Sequence, residues 1–149
     1  MFISNADSIP ALRDTFAKKI NFMRECAAKT ADPEKRKKYN GVAKFMQMKV
    51  QHTMFVHKEG MNILNSLKKS AQEAPEANAL NDANLPPVSN KEAFELTSKY
   101  LKVYNKALLW HDLGRTAEFD DHAMPTGIDH AVVSKDLAER SEERRVGKE

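Results

Sequence analysis

The spacing of apolar residues predicts helices along most of the chain. In the first segment, apolar side chains recur at positions 9, 12, 16, 20, 23 and 27, the interval of one helix face. Ser8 and Pro10 suit the start of this helix, because serine caps free backbone N–H groups and proline tolerates the first turn. No segment shows the alternation of a half-buried strand, so the pattern predicts an all-α fold.

A second apolar stripe begins after Asp32 and Pro33, which suit a helix start. Gly41 and Gly60 weaken the stripe, so the segment is either one long helix or two helices. The stripe follows positions 39, 42, 46, 50, 53, 54, 61 and 64.

Residues 71–88 break the helical pattern with alanine, asparagine and three prolines, which predicts a mobile surface loop. A third helix is expected from the capping box SNKE at 89–92 to about Trp110, with Gly114 as its stop. Its stripe contains Phe94, Leu101 and Leu108, flanked by Ala93, Tyr100, Tyr104 and Ala107. Thr126 is expected to cap a last helix.

Composition narrows the class of protein. The chain has 149 residues, 41% of them apolar, which is enough for one domain with a core. Cys26 is the only cysteine and cannot form an internal disulfide, so we expect a cytoplasmic protein. No apolar run approaches the roughly 20 residues of a membrane-spanning helix, and the first residues do not resemble a signal peptide.

Charge is uneven along the chain and supports an alternative function. Residues 1–70 hold 14 Lys and Arg against 6 Asp and Glu, whereas residues 71–149 hold 10 against 15. With the basic stretch EKRKKY at 34–39, the N-terminal half suits a helical interaction module or a nucleic-acid-binding module. Tyr39 is the only aromatic residue in that stretch, however, and base stacking requires aromatic side chains.

The strongest chemical signal is the adjacent pair His111 and Asp112 in ALLWHDLGR, residues 107–115. An imidazole nitrogen beside a carboxylate suits Mn, Fe, Zn, Co or Ni. Neighbouring helical side chains point about 100° apart, so the two residues can share one ion only where the helix unwinds. Alone, such a pair is also typical of an ordinary helix terminus.

Three stretches together resemble the HD superfamily of metal-dependent phosphohydrolases. LLWHDLGR resembles its His-Asp signature, KVQHTMFVHKEGMNIL at 49–64 resembles its first-histidine helix, and FDDHAMPTGIDHAVVS at 119–134 resembles a stretch in a bacterial branch. The resemblance covers about residues 42–138. It implies an HD-domain-like helical bundle at 32–140, with residues 1–31 forming an N-terminal helix that packs on it.

The resemblance also implies a site. His52, His111 and Asp112 would bind a divalent metal ion, and Asp112 would bridge two ions in a binuclear centre. Arg115 matches the basic position of the signature, which faces either a phosphate or a carboxylate. His130 matches a histidine that serves either a second metal or the substrate phosphate. The implied activity is hydrolysis of a phosphomonoester, nucleotide or similar small phosphorylated substrate by metal-bound hydroxide.

Two further histidines are expected to contribute less. His122 is a weaker candidate for the role of His130, because its loop is shorter than the branch pattern. His57 is five residues beyond His52 and points about 140° away from it on a helix, so we expect a structural or exposed side chain.

The chain departs from the family pattern after the His-Asp pair. The family closes its metal site with a later aspartate, but only 37 residues follow Asp112, and Asp136 comes too early to match. The end, RSEERRVGKE at 140–149, has no apolar stripe and is either a solvated helix tip or a foreign tail at 141–149. We therefore expect a bundle that is incomplete at its C-terminal end, with weak metal binding and poor hydrolysis.

Overall fold

A computed structural model of the chain describes residues 6–146, with side chains described through residue 142. The described part is mostly helical, and between residues 6 and 146 extended pairing is limited to two isolated bridges. The all-α prediction is therefore confirmed. The elements are α1 (Ile9–Lys29), α2 (Pro33–Glu73), α3 (Asn90–Lys99), α4 (Leu101–Trp110), a 3₁₀ helix (Leu113–Ala117) and α5 (His130–Val146).

Helix α1 forms where its capping residues and apolar stripe predict it. The Ser8 hydroxyl accepts a hydrogen bond from the backbone N–H of Ala11 at 3.2 Å. The predicted stripe is the buried face of the helix. Its buried members are Leu12, Phe16, Ile20, Met23 and Ala27.

Helix α2 is one helix of 41 residues, which resolves the choice between one helix and two. The Asp32 carboxylate accepts from the backbone N–H of Glu34 at 3.0 Å and so caps it. Gly41 does not break the helix, and neither does Gly60. The chain nevertheless divides into two compact units inside α2: a first unit of residues 6–54 with 106–146, and a second unit of residues 55–105.

The first unit contains the hydrophobic core. Side chains from α1, the first part of α2, the end of α4 and the 3₁₀ helix pack together there. Burial of this apolar surface is the main force that holds these elements in place. The largest fully buried apolar side chains of this core are Phe16, Leu12, Met23, Met46, Leu109 and Leu113.

Helix α5 lies against the 3₁₀ helix at an unusually close backbone contact. A Cβ at Gly114 would overlap the carbonyl group of His130 and would lie 2.8 Å from the backbone nitrogen of Ser134. The Gly114 N–H donates to the Ser134 hydroxyl at 2.7 Å. The helix ends at Trp110, as predicted, but the prediction that Gly114 is its stop is wrong, because Gly114 lies within the following 3₁₀ helix and serves close packing instead.

The second unit differs from its sequence-based prediction at the third helix. Instead of one helix to Trp110, α3 ends at Lys99 and α4 begins at Leu101, because Tyr100 leaves helical geometry with φ −106° and ψ 29°. Leu101 was expected on the apolar stripe and Tyr100 beside it, yet both are exposed. Of residues 55–105, only Gly60 and Asn90 are buried.

The loop between α2 and α3 is shorter than predicted, and hydrogen bonds join its two ends. Helix α2 continues to Glu73, and the base of the loop is closed by backbone hydrogen bonds. The N–H of Ala79 donates to the carbonyl of Val88 at 2.7 Å, and that of Asn90 donates to the carbonyl of Ala77 at 2.8 Å. Most of the loop is exposed, as expected of a surface segment.

The last helix begins later than predicted. Its start is marked by Asp129, whose carboxylate accepts from the backbone N–H of Ala131 at 2.9 Å. Thr126 is not the cap, because its hydroxyl contacts the carbonyl of Ala117 at 2.7 Å. Helix α5 continues to Val146, into the charged tail predicted at 141–149, and residues 147–149 of that tail lie outside the described residues. None of the helices described is long and apolar enough to cross a bilayer.

Candidate metal centre

Three side chains of the first unit converge on one point. His52, His111 and Asp112 each offer one ligand atom, and these atoms lie within 4.8 Å of one another. The Asp112 Oδ2 atom is 3.5 Å from His111 Nε2 and 3.9 Å from His52 Nε2. Ligands that share an ion at about 2 Å lie roughly 3–4 Å apart, so the group is close enough to bind a metal ion.

The end of α4 explains how two neighbouring residues can face one point. Helix α4 ends at Trp110, and Asp112 has φ −112° and ψ 10°, outside regular helical geometry. The ring of His52, from α2, lies opposite that of His111, with centroids 5.9 Å apart and an interplanar angle of 70°. The prediction that these two imidazoles lie close together is confirmed.

A backbone carbonyl prepares His111 for binding. Its Nδ1 atom lies 2.9 Å from the carbonyl oxygen of Leu108. A carbonyl only accepts hydrogen bonds, so in the neutral ring Nδ1 carries the hydrogen and Nε2 keeps its lone pair. The Nε2 atom is the one that faces Asp112. Holding the remote nitrogen in this way is the usual means by which proteins orient a metal-binding histidine.

Asp112 is the buried member of the group. Its side chain is 8% exposed, whereas His52 and His111 are open to solvent. All its basic neighbours stand at 3.4–3.9 Å, longer than the 2.7–2.9 Å of a strong charge-assisted hydrogen bond. A buried carboxylate with open histidines on one side fits a cation that enters from solvent.

The second oxygen of Asp112 has its own set of neighbours. Asp112 Oδ1 is 3.4 Å from His130 Nε2 and 3.6 Å from Arg115 Nε. Glu118 completes this side, with Oε1 at 2.7 Å from Arg115 Nη1 and 3.4 Å from His130 Nδ1. None of the sequence motifs includes Glu118, although Asp112, Arg115 and Glu118 follow one another at spacings of three, which is a signal that could have found it.

Two sequence-based candidates lie outside the group. His122 is exposed, and its backbone N–H donates to the Asp120 carboxylate. Asp136, the carboxylate judged too early to close the site, is exposed and does not belong to the three-residue group. Within the second unit, the His57 Nε2 atom is 2.9 Å from the side-chain oxygen of Asn105, consistent with a structural histidine. Among the described residues, no other three histidine, cysteine or acidic side chains each place a ligand atom within 4.8 Å of the other two.

The loop after the 3₁₀ helix is ordered by Asp120. Its carboxylate accepts from the backbone N–H groups of Met124 at 3.0 Å and His122 at 2.8 Å. These bonds lower the pKa of Asp120 below its usual 3.8, because they favour the ionised form. Ala123, inside this turn, has φ 59° and is buried.

The basic stretch that supports the alternative function lacks a stacking surface. Tyr39 packs against the hydrophobic core rather than standing free. The Arg36 guanidinium turns back to donate to the carbonyl of Thr30 at 3.1 Å. Grooves that bind single-stranded nucleic acid combine positive charge with aromatic side chains on which bases stack. Neither Tyr39 nor Arg36 is arranged to provide such a stacking surface.

No family model, curated protein or solved structure matches the chain. The resemblance to the HD superfamily therefore rests on the sequence motifs alone.

Proposed function

We propose that this chain is a metal-dependent phosphohydrolase of the HD superfamily, acting on a phosphomonoester or nucleotide. The observation that carries the proposal is the convergence of His52 on the His111–Asp112 pair, within 4.8 Å. An ordinary helix terminus with a chance His-Asp pair does not require a third ligand from another helix. Two nitrogens and one carboxylate suit Mn, Fe, Zn, Co or Ni.

The donor set fits a reactive ion rather than a purely structural one. Three protein ligands leave coordination positions for water or substrate, which is the usual pattern of catalytic sites. An ion bound there would lower the pKa of its water towards neutrality and offset the charge that develops on a phosphoryl group. The chain therefore needs no serine or cysteine nucleophile.

The surrounding residues orient this set. Asp112 directs one oxygen to His52 and His111 and the other to His130, as a bridging carboxylate must. Arg115 spans two carboxylates, with Nη1 on Glu118 and Nε towards Asp112. Of its two implied partners, this geometry favours a carboxylate over a phosphate. His130 remains the residue for a second ion or the substrate phosphate.

The donor count also sets the expected strength of the site. The later aspartate that the resemblance implies has no counterpart in the described three-residue group, of which Asp136 is not a member. Each absent ligand weakens metal binding and leaves more of the ion's charge uncompensated. We therefore expect weak metal affinity and slow turnover from this chain.

The test measures metal content and phosphate release together. The purified protein is loaded with Mn²⁺ or Zn²⁺, its metal is determined by elemental analysis, and phosphate release is followed on a panel of nucleotides and sugar phosphates. Asp112→Asn, nearly isosteric, should lose both the metal and the slow hydrolysis. His57→Ala is the matched control, since its imidazole is bonded to Asn105, and should keep both.

Two results would contradict the proposal. The first is an unmodified protein that retains no divalent ion after loading at millimolar concentration. The second is an Asp112→Asn protein that releases phosphate as fast as the unmodified one. Circular dichroism of each variant separates loss of the site from loss of the fold.

A further inference from the structure

We propose that Glu118 is a positioning residue of this centre, which fixes the imidazole of His130 so that its Nε2 lone pair is available to a cation beside Asp112. The inference rests on the proposed function. It adds a role for a side chain that none of the sequence motifs singles out.

The first support is that the imidazole of His130 lies between two carboxylates, with one ring nitrogen towards each. Glu118 Oε1 is 3.4 Å from His130 Nδ1, and His130 Nε2 is 3.4 Å from Asp112 Oδ1. Both carboxylates only accept hydrogen bonds, but a cation between Nε2 and Asp112 would exclude a hydrogen from Nε2, so the neutral imidazole of the loaded site carries its hydrogen on Nδ1, towards Glu118. The lone pair is then on Nε2, the atom towards Asp112.

The second support is the parallel with His111. There the Leu108 carbonyl holds Nδ1 at 2.9 Å, and Nε2 faces the Oδ2 atom of Asp112 at 3.5 Å. His130 presents the same nitrogen to the other oxygen of the same carboxylate. The two histidines thus present the same nitrogen to one carboxylate, although the 3.4 Å contact of His130 with Glu118 is longer than the 2.9 Å hydrogen bond of His111 to Leu108.

Glu118 is itself held in one place. Arg115 Nη1 donates to it at 2.7 Å, and its side chain is 19% exposed. A 3₁₀ helix has three residues per turn, so Asp112, Arg115 and Glu118, at spacings of three, lie along one side of it. The backbone of His130 is fixed from the other direction, by the close contact of α5 with Gly114.

The consequence concerns metal binding on the Oδ1 side. His130 Nε2 and Asp112 Oδ1, at 3.4 Å, have the separation of two ligands to one cation. Without Glu118, the ring is free to flip or to place its hydrogen on Nε2, which removes the lone pair. Loss of an outer partner of a metal-binding histidine typically costs about 10–100-fold in metal affinity.

The experiment uses zinc as the probe and nitrogen NMR of the histidine side chains as the readout. Protein with ¹⁵N-labelled histidines is titrated with Zn²⁺, and the five rings are assigned from single His→Gln variants. The proteins compared are the unmodified chain, Glu118→Ala, Glu118→Gln and the control Glu139→Ala. Glu139 is an exposed carboxylate on α5 that pairs with Lys135.

In the unmodified protein, zinc-loaded His130 should carry its hydrogen on Nδ1 and bind through Nε2. Glu118→Ala should populate the other tautomer and weaken the zinc response of His130 by about 10–100-fold. Glu118→Gln should largely restore both, since its amide oxygen still accepts from Nδ1. Glu139→Ala should leave both unchanged.

The outcomes separate this inference from the proposed function. If zinc moves neither His52 nor His111 in the unmodified protein, the proposed function fails. If those rings respond but Glu118→Ala leaves the tautomer and zinc response of His130 unchanged, only the role of Glu118 fails. If Glu118→Ala does not fold, the unmodified protein decides, because zinc bound to His130 through Nδ1 would overturn the inference.

Discussion

The two units of the chain achieve order in different ways. The first unit buries a continuous apolar core and builds its histidine and carboxylate group on elements that this core holds. In the second unit, residues 55–105, only Gly60 and Asn90 are buried, so no apolar side chain is fully removed from solvent, and several hydrogen bonds join its elements. One of these joins the Tyr104 hydroxyl to the carbonyl of Gly60 at 2.5 Å.

This difference shows where a binding site of defined geometry can be supported. Metal ligands must be held to within a fraction of an ångström, which needs side chains whose rotamers are fixed by packing. Asp112 meets this condition, between Trp110 and Leu113 of the core. His57, in the second unit, is instead engaged with Asn105. Four predictions follow the contrast, from the largest effect to the smallest.

The largest difference in the free energy of unfolding should come from replacing a phenylalanine by alanine in each unit. Phe16 is fully buried in the first unit, whereas Phe55 in the second is 61% exposed. Phe16→Ala should cost about 3–5 kcal/mol of the free energy of unfolding, because it opens a cavity. Phe55→Ala should cost less than about 1 kcal/mol, as is usual at the surface. Urea denaturation followed by circular dichroism measures both, and equal losses would contradict the contrast.

A smaller change in stability should come from replacing either of two glycines of the first unit by alanine. Gly114→Ala forces a Cβ against the backbone of α5 and should destabilise by about 1–3 kcal/mol, the usual cost of overpacking. It should also move His130 away from Asp112. Gly41→Ala, with nothing within 4 Å of the added Cβ, should instead stabilise α2 by about 0.5–1 kcal/mol. Thermal unfolding of the two variants checks this, and two shifts of the same sign would refute it.

Amide hydrogen exchange should be slower in the first unit than in the second, and it should show which part of the loop between α2 and α3 is mobile. Amides of the first-unit core, such as that of Phe16, should exchange slowest. In the second unit, the amides of Ala79 and Asn90 should exchange more slowly than those of residues 81–83, because they close the base of the loop. Uniformly fast exchange across residues 74–90 would restore the prediction of a wholly mobile loop.

The smallest effect concerns two side-chain oxygens that accept backbone hydrogen bonds, one from a carboxylate and one from an amide. Asp120 in the first unit and Asn78 in the second each accept two backbone N–H groups. The pKa of Asp120 is lowered on folding, so its stabilisation is present above the unfolded pKa and is lost as pH falls through the folded value. A carboxyl ¹³C titration should give a pKa below 3.8 for Asp120, whereas the amide of Asn78 does not ionise and adds no pH dependence to stability. A value at or above 3.8 would disprove the effect.

Much of the fold followed from sequence because the signals are local. The stripe of α1 and the caps at Ser8 and Asp32 depend only on nearby residues, and the structure contains all three. The closeness of His52 to His111 also agreed with expectation, but that expectation came from the motifs and not from spacing.

The missed features depend on tertiary contacts. Gly114 resembles a helix stop, and only the approach of α5 reveals that it provides space for another backbone. Tyr100 fits an apolar stripe, yet its exposure follows from the absence of a buried core in the second unit. No sequence motif includes Glu118, and its position depends on a 3₁₀ helix that apolar periodicity does not show.

Trp110 has a consequence for optical spectroscopy. It is the only tryptophan of the chain, it is 3% exposed, and it immediately precedes His111. The ammonium of Lys106 lies 4.8 Å from its ring centroid and also bonds to Glu142 of α5 at 2.6 Å. The fluorescence of Trp110 should therefore report on both features. Its emission should be blue-shifted while α5 is packed in place, and it should be quenched when Co²⁺ or Ni²⁺ binds to the adjacent His111.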